Sequence, residues 1–183
     1  INIGMGYKLD KNNTGIVIVD CTNKDNRLQE GSIRTNTLRT AGPFALHQAC
    51  DTHHVKSTVI NDLDFWSTEE LVNYVSTWMQ KVNVTKLVVA ASNTFDVNFL
   101  QLDRGDRGIV ANIKALIDTH DAYFIVGGPY PLVEPKLGVV VPKEIFYGRS
   151  LRLFKLWLDG QDTEYSSIYK GVVKHHDDSR LVK

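Results

Sequence analysis

Four short apolar runs punctuate the chain, with helix-like stretches between them. The first is residues 15–21 (GIVIVDC), with four β-branched residues in succession. Residues 55–60 (VKSTVI) form the second, and residues 87–91 (LVVAA) and 123–126 (YFIV) the third and fourth. Runs that hardly alternate suit strands buried on both faces, as in a parallel sheet covered by helices. A fifth strand is expected at either 137–141 or 144–147, each with a proline beside it.

The intervening stretches carry helical spacing. Residues 42–52 offer Phe44, Leu46 and Ala49 for packing. Residues 67–81 open with Ser67 and Glu70 at capping-box spacing, and Leu71, Val75, Trp78 and Met79 recur on one face. Residues 106–119 align Ile109, Ile113, Leu116 and Ile117, and residues 150–158 align Leu151, Phe154 and Leu158 before Gly160 ends the helix. Strand and helix in alternation predict an α/β fold: a doubly wound, mainly parallel sheet of four to five strands with helices on both faces, flavodoxin-like in type, with the second strand at an edge. Residues 1–160 are read as that domain and 161–183 as a polar tail or linker, with one edge strand available near 168–173.

In such sheets ligands sit beyond the carboxyl ends of the strands, where strand order reverses. Three segments fall at those ends. Thr40, Ala41, Gly42 and Pro43 open the first helix after a long polar loop, residues 22–40; Arg34 and Arg39 lie nearby, and free amides there favour anions. Ser92, Asn93 and Thr94 follow the third strand, and Gly127, Gly128 and Pro129 the fourth. Small hydroxyls and glycines let a flat or phosphate-bearing ligand approach the backbone, although each segment also suits a plain turn. These residues form the expected cofactor-binding crevice. Asp62 and Asp64 after the second strand could meet a polar ligand but are read as cap or solvent-facing residues.

Neither a dinucleotide G-x-G-x-x-G nor a G-x-x-x-x-G-K-[ST] loop is in the sequence. Ser92 lacks the G-x-S-x-G setting of a hydrolase nucleophile, so a hydrolase pairing it with His53 or His54 is disfavoured and no catalytic residue is assigned. His175, His176, Asp177 and Asp178 are read as a solvated tail rather than a metal site, and no metal ligand is assigned.

Composition changes little. The 183 residues, about one domain in length, are 43% hydrophobic and 23% charged. Lys plus Arg equals Asp plus Glu at 21 each, which argues against a nucleic-acid partner. No apolar run approaches the roughly 18 residues of a membrane span, so no membrane partner is expected. The two cysteines, Cys21 and Cys50, are too few for a disulfide framework and suit reduced, buried thiols of a cytoplasmic protein. The first residue is Ile1 and the end, KHHDDSRLVK, is largely polar; it is read either as a solvated tail or as the front part of a longer polypeptide.

Taken in order, five stretches resemble one family. RTAGPFALHQACDTHHVKSTVIND, DFWSTEELVNYV, VVAASNTF, YFIVGGPYP and IFYGRSLRLFKLWLDG are similar to successive segments of the amino-terminal cobalamin-binding-type, Rossmann-like domain of radical SAM proteins. The resemblance spans residues 15–160 and implies a cofactor- or substrate-binding module with cobalamin as cofactor. The cobalamin-coordinating D-x-H-x-x-G of that family is replaced by DCTNKDNRLQEG, so no lower-axial histidine is expected from the first loop. With no C-x-x-x-C-x-x-C in the chain, the iron–sulfur cluster and S-adenosylmethionine would belong to a downstream radical SAM domain. The alternative is a degenerate doubly wound module that binds a protein partner without chemistry, for which Phe65, Trp66, Trp78, Tyr147 and Trp157 supply interface-type aromatics.

Overall fold

The computed structural model describes residues 7–21, 41–92, 108–128, 142–147, 150–161 and 174–177. Its elements run β1 (Thr14–Asp20), α1 (Ala41–Thr52), β2 (Lys56–Ile60), a 3-10 turn (Leu63–Phe65), α2 (Thr68–Val82), β3 (Lys86–Ser92), α3 (Ile109–His120), β4 (Tyr123–Gly128), β5 (Glu144–Tyr147), α4 (Ser150–Leu158) and β6 (Lys174–Asp177).

Every residue of β1 is buried, because the strand lies inside the sheet with helices above and below. Ile16 and Ile18 point to one face, where Ala49 and Cys50 of α1 and Leu153, Phe154, Trp157 and Leu158 of α4 complete a core. Val17 and Val19 point to the other, against Leu71, Val75 and Met79 of α2 and Ile109, Ile113 and Leu116 of α3. One uninterrupted apolar run therefore serves two cores, which alternation could not do.

The six strands stand in the order β2-β1-β3-β4-β5-β6, and every pair is parallel. The chain is thus a doubly wound α/β fold of flavodoxin-like type, with β2 at one edge as its partly polar pattern predicts. Of the two stretches offered for the fifth strand, 144–147 forms it; 137–141 lies outside the described residues. The expected sheet is extended by β6, which pairs Lys174 with Glu144 and Asp177 with Tyr147. Reading 161–183 wholly as a tail or linker is corrected to that extent. The edge strand lies just beyond the 168–173 stretch considered for it, which is outside the described residues.

Helix ends follow local chemistry. Ser67 caps α2 through a complete capping box with Glu70, and Asn83 ends it in the left-handed conformation, φ 60°. Asp121 ends α3 in the same way, and Gly160 after α4 has φ +69°, the stop read from sequence. Among the described residues no helix is long and apolar enough to cross a membrane.

Candidate functional site

Strand order reverses between β1 and β3. From β1 the chain crosses to β2 on one side, and from β3 it crosses to β4 on the other. At the carboxyl end of this seam Asp20 lies opposite Ser92, and the Cys21 amide donates to the Ser92 carbonyl at 2.9 Å. Asp20 and Ser92 are both buried at this rim. Beside them, Gly127 and Gly128 end β4 and pair with Phe146 and Tyr147 of β5. Helix α1 opens at Ala41 with Gly42 exposed and Pro43 buried in its first turn, where proline's missing N–H costs nothing. Its first turn carries no acidic side chain.

The topology therefore brings Ser92, Gly127, Gly128 and the Ala41–Gly42–Pro43 helix start to one edge of the sheet. Thr40, Asn93, Thr94, Pro129 and the long 22–40 loop lie outside the described residues. Burial, and then the neighbouring Asp20 charge, raises the Cys21 thiol above its ordinary value, so the one sulfur at this rim is an inert thiol.

The exit from β2 is held from α3. Asn112 is fully buried and its side-chain amide donates to the carbonyls of Leu63 at 2.8 Å and Trp66 at 3.0 Å. The Thr68 hydroxyl donates to Asn112 Oδ1 at 2.8 Å. Asp62 stands at the cap position of the turn with φ 52° but caps it without a side-chain hydrogen bond; its carbonyl accepts from the Phe65 amide at 2.8 Å. Sequence reading passed over Asn112, whose signal was a polar residue beside the apolar stripe of Ile109, Ile113 and Leu116.

Of the six histidines, four lie on or just after helices, and His176 of β6 pairs with Phe146, itself the partner of Gly127. His47 Nδ1 is 2.6 Å from the Ser57 hydroxyl at the start of β2. His53, at the end of α1, places Nδ1 2.6 Å from Asp159 Oδ1. His54 follows it, His120 ends α3 beside Ser76 at 3.3 Å, and His175 and His176 lie in β6. Ser92 is thus at the carboxyl edge while His53 and His54 end a helix that descends to the amino edge, which separates the members of a Ser–His hydrolase. Among the described residues no group of three His, Cys, Asp or Glu side chains could hold a metal ion.

A second constellation runs along β4, β5 and β6, where Phe146 pairs with Gly127 on one side and His176 on the other. Glu144 is 2% exposed. Its Oε2 accepts from the Trp157 indole at 2.8 Å, and its Oε1 lies 2.7 Å from His176 Nε2. The Tyr123 phenol hydrogen-bonds the same carboxyl; burial, chiefly, and Glu144 hold its acidity well below that of an ordinary tyrosine. Tyr7 stacks on Tyr123 with ring centroids 3.8 Å apart, and His176 stacks on Phe146 at 4.4 Å. The expectation of a solvated His176 is corrected: the imidazole is 2% exposed because a buried carboxyl needs a donor. Asp178 lies outside the described residues.

Compared with models of protein families, with curated proteins and with solved structures, the chain matches none.

Proposed function

We propose that the chain is a ligand-binding module of the corrinoid type, holding a cofactor or substrate beside a radical SAM domain carried elsewhere. The observation that supports this is the seam between β1 and β3. Strand order reverses there, and Ser92 and the Gly127–Gly128 pair stand at the same carboxyl edge. That rim offers a helix start, a small hydroxyl and glycine surface beside the buried Asp20 carboxyl, which suit a flat polar ligand.

The residues present fit a corrinoid held through its periphery. A lower-face imidazole is not expected from the first loop, whose sequence lacks the D-x-H-x-x-G histidine. When bound, the corrinoid would supply the cobalt chemistry; the chain's own part is to seat it and exclude water. Two cysteines cannot ligate the iron–sulfur cluster of a radical SAM centre.

The test is an absorbance titration with hydroxocobalamin on the natural chain and on Gly128→Trp. Saturable binding by the natural chain, weakened at least tenfold in a variant that still melts cooperatively, is expected. Equal binding by both would place the ligand elsewhere. No binding by the natural chain would end the corrinoid reading and leave the partner-binding module as its successor. Electron paramagnetic resonance of bound cob(II)inamide, which has no nucleotide base, should show no nitrogen coupling from the protein.

A further inference from the structure

Three oxidisable rings meet beside the buried Glu144 carboxyl. Tyr7 lies nearly parallel to Tyr123, centroids 3.8 Å apart at 11°, and to Trp157, 6.1 Å apart at 11°. Trp157 is 7% exposed and Tyr7 36%, so the set runs from the α1/α4 core to the surface. Its inner end reaches toward the ligand rim. Phe146, which pairs with Gly127, has its ring centroid 6.1 Å from that of Trp157.

The hydrogen bonding gives these rings a proton acceptor. An indole nitrogen can only donate, so the 2.8 Å contact fixes Glu144 Oε2 as the acceptor of the Trp157 N–H. Loss of an electron turns an indole into a strong acid, and a radical cation left in an apolar core carries the full cost of a buried charge. Glu144, itself buried, removes that cost by taking the proton. Packing alone asks only for apolar rings here; an indole seated on a carboxyl and stacked in series with two phenols adds a redox path.

We propose that Trp157, Tyr7 and Tyr123 form a one-electron relay, with Glu144 as its proton store, that drains an oxidising equivalent from the core to the surface. A one-electron oxidant takes an electron from Trp157, the indole proton passes to Glu144 Oε2, and a neutral tryptophanyl radical is left. Tyr7 then gives an electron to that radical. The proton returns from Glu144 to the indole nitrogen, and the Tyr7 phenol releases its own proton to water. The net change is one electron from Tyr7 to the oxidant and one proton to water, with Trp157 and Glu144 restored. Tyr123, stacked on Tyr7, is the second phenol the hole reaches. The relay stands on ring geometry and is independent of the corrinoid reading.

The test is flash photolysis of the full chain at the red edge of indole absorption, with hexaamminecobalt(III) in solution to take the ejected electron irreversibly. Trp66→Phe with Trp78→Phe leaves Trp157 as the sole tryptophan. Transient absorption should show a neutral tryptophanyl radical giving way to a tyrosyl radical, at least tenfold more slowly when Tyr7→Phe is added. Glu144→Gln keeps an acceptor for the indole but takes no proton, so the radical-cation form should persist there. If the double tryptophan variant fails to melt cooperatively, Tyr7→Phe and the natural chain, each corrected by its Trp157→Phe counterpart, read the same step. A tryptophanyl radical that decays without growth of a tyrosyl radical would overturn the proposal. So would conversion at an unchanged rate in Tyr7→Phe, or a neutral radical formed as readily in Glu144→Gln.

Discussion

Asn112→Leu should cost the protein about 2–4 kcal/mol although it replaces a polar side chain by an apolar one of similar size inside an apolar core. The structure supplies the terms. Three hydrogen bonds are lost, to the Leu63 carbonyl, the Trp66 carbonyl and the Thr68 hydroxyl. The Leu63 carbonyl bond is buried, so its oxygen stays unpaired away from water, at about 1–3 kcal/mol. The Trp66 and Thr68 bonds are partly buried; those groups can recover water, so each loss is nearer the net value of about 1 kcal/mol. Added apolar burial returns about 1 kcal/mol. The assay is urea unfolding of Asn112→Leu, Thr68→Val and the double variant. Thr68→Val alone should cost about 1 kcal/mol and almost nothing once Asn112 has gone, because the partner is shared. A cost for Asn112→Leu below about 0.5 kcal/mol, within the range of inconsequential substitutions, would refute the account, as would strict additivity.

Three further outcomes follow from particular contacts. A Cβ added to Gly15 would lie 2.7 Å from Trp78 Cη2 and 3.0 Å from Val84 Cγ2. Gly15→Ala should therefore destabilise by about 1–3 kcal/mol, with most of the loss recovered in Gly15→Ala with Trp78→Leu; an unchanged urea midpoint for the single variant would count against this packing. Burial lifts the Cys50 thiol to about 12, against a smaller opposing hydrogen bond from Ser57, and Cys21 is raised by burial as well. Ellman's reagent at pH 8 should find both thiols inert in the folded chain and reactive in urea, and rapid labelling of either under native conditions would contradict the burial. The hydrogen bond from His53, chiefly, holds the Asp159 carboxyl below its ordinary value, with Lys11 adding to it and slight desolvation opposing it. Its contribution to stability is present above the unfolded Asp value near 3.9 and is lost as pH falls through the lower folded value. An NMR titration should show most of that depression lost in His53→Ala, with the Lys11 share remaining, whereas an unmoved Asp159 would separate the pair.

What could be read from the sequence was what depends on near neighbours. The GIVIVDC run announces a strand covered on both faces because its own residues have no polar side to offer. Ser67 and Glu70 announce the start of α2 because they satisfy each other's backbone amides three residues apart. Gly160 ends α4 where a left-handed residue is needed. The ends of β3 and β4 were read one and two residues short: Ser92 and the Gly127–Gly128 pair, taken to follow the strands, are their last residues, because β1 and β5 extend the ladder to them. What could not be read depends on distant partners. His176 is buried by a carboxyl 32 positions away, and Asn112 by carbonyls 46 and 49 positions away. No periodicity carries that information: in Lys-His-His-Asp the pattern is polar throughout, and only the carboxyl waiting in β5 turns one imidazole inward.

Two places in the sheet ask for different partners. In a parallel sheet the helix amino termini gather at the carboxyl edge, and helix starts favour a ligand rich in acceptors. The buried Glu144 carboxyl, itself an acceptor, has to recruit side-chain donors. Glu144 does so with an indole, a phenol and an imidazole drawn from α4, β4 and β6. That arrangement closes the core and turns the His176 imidazole onto the Glu144 carboxyl, because a buried acceptor left without donors would cost more than ordering the side chains that satisfy it.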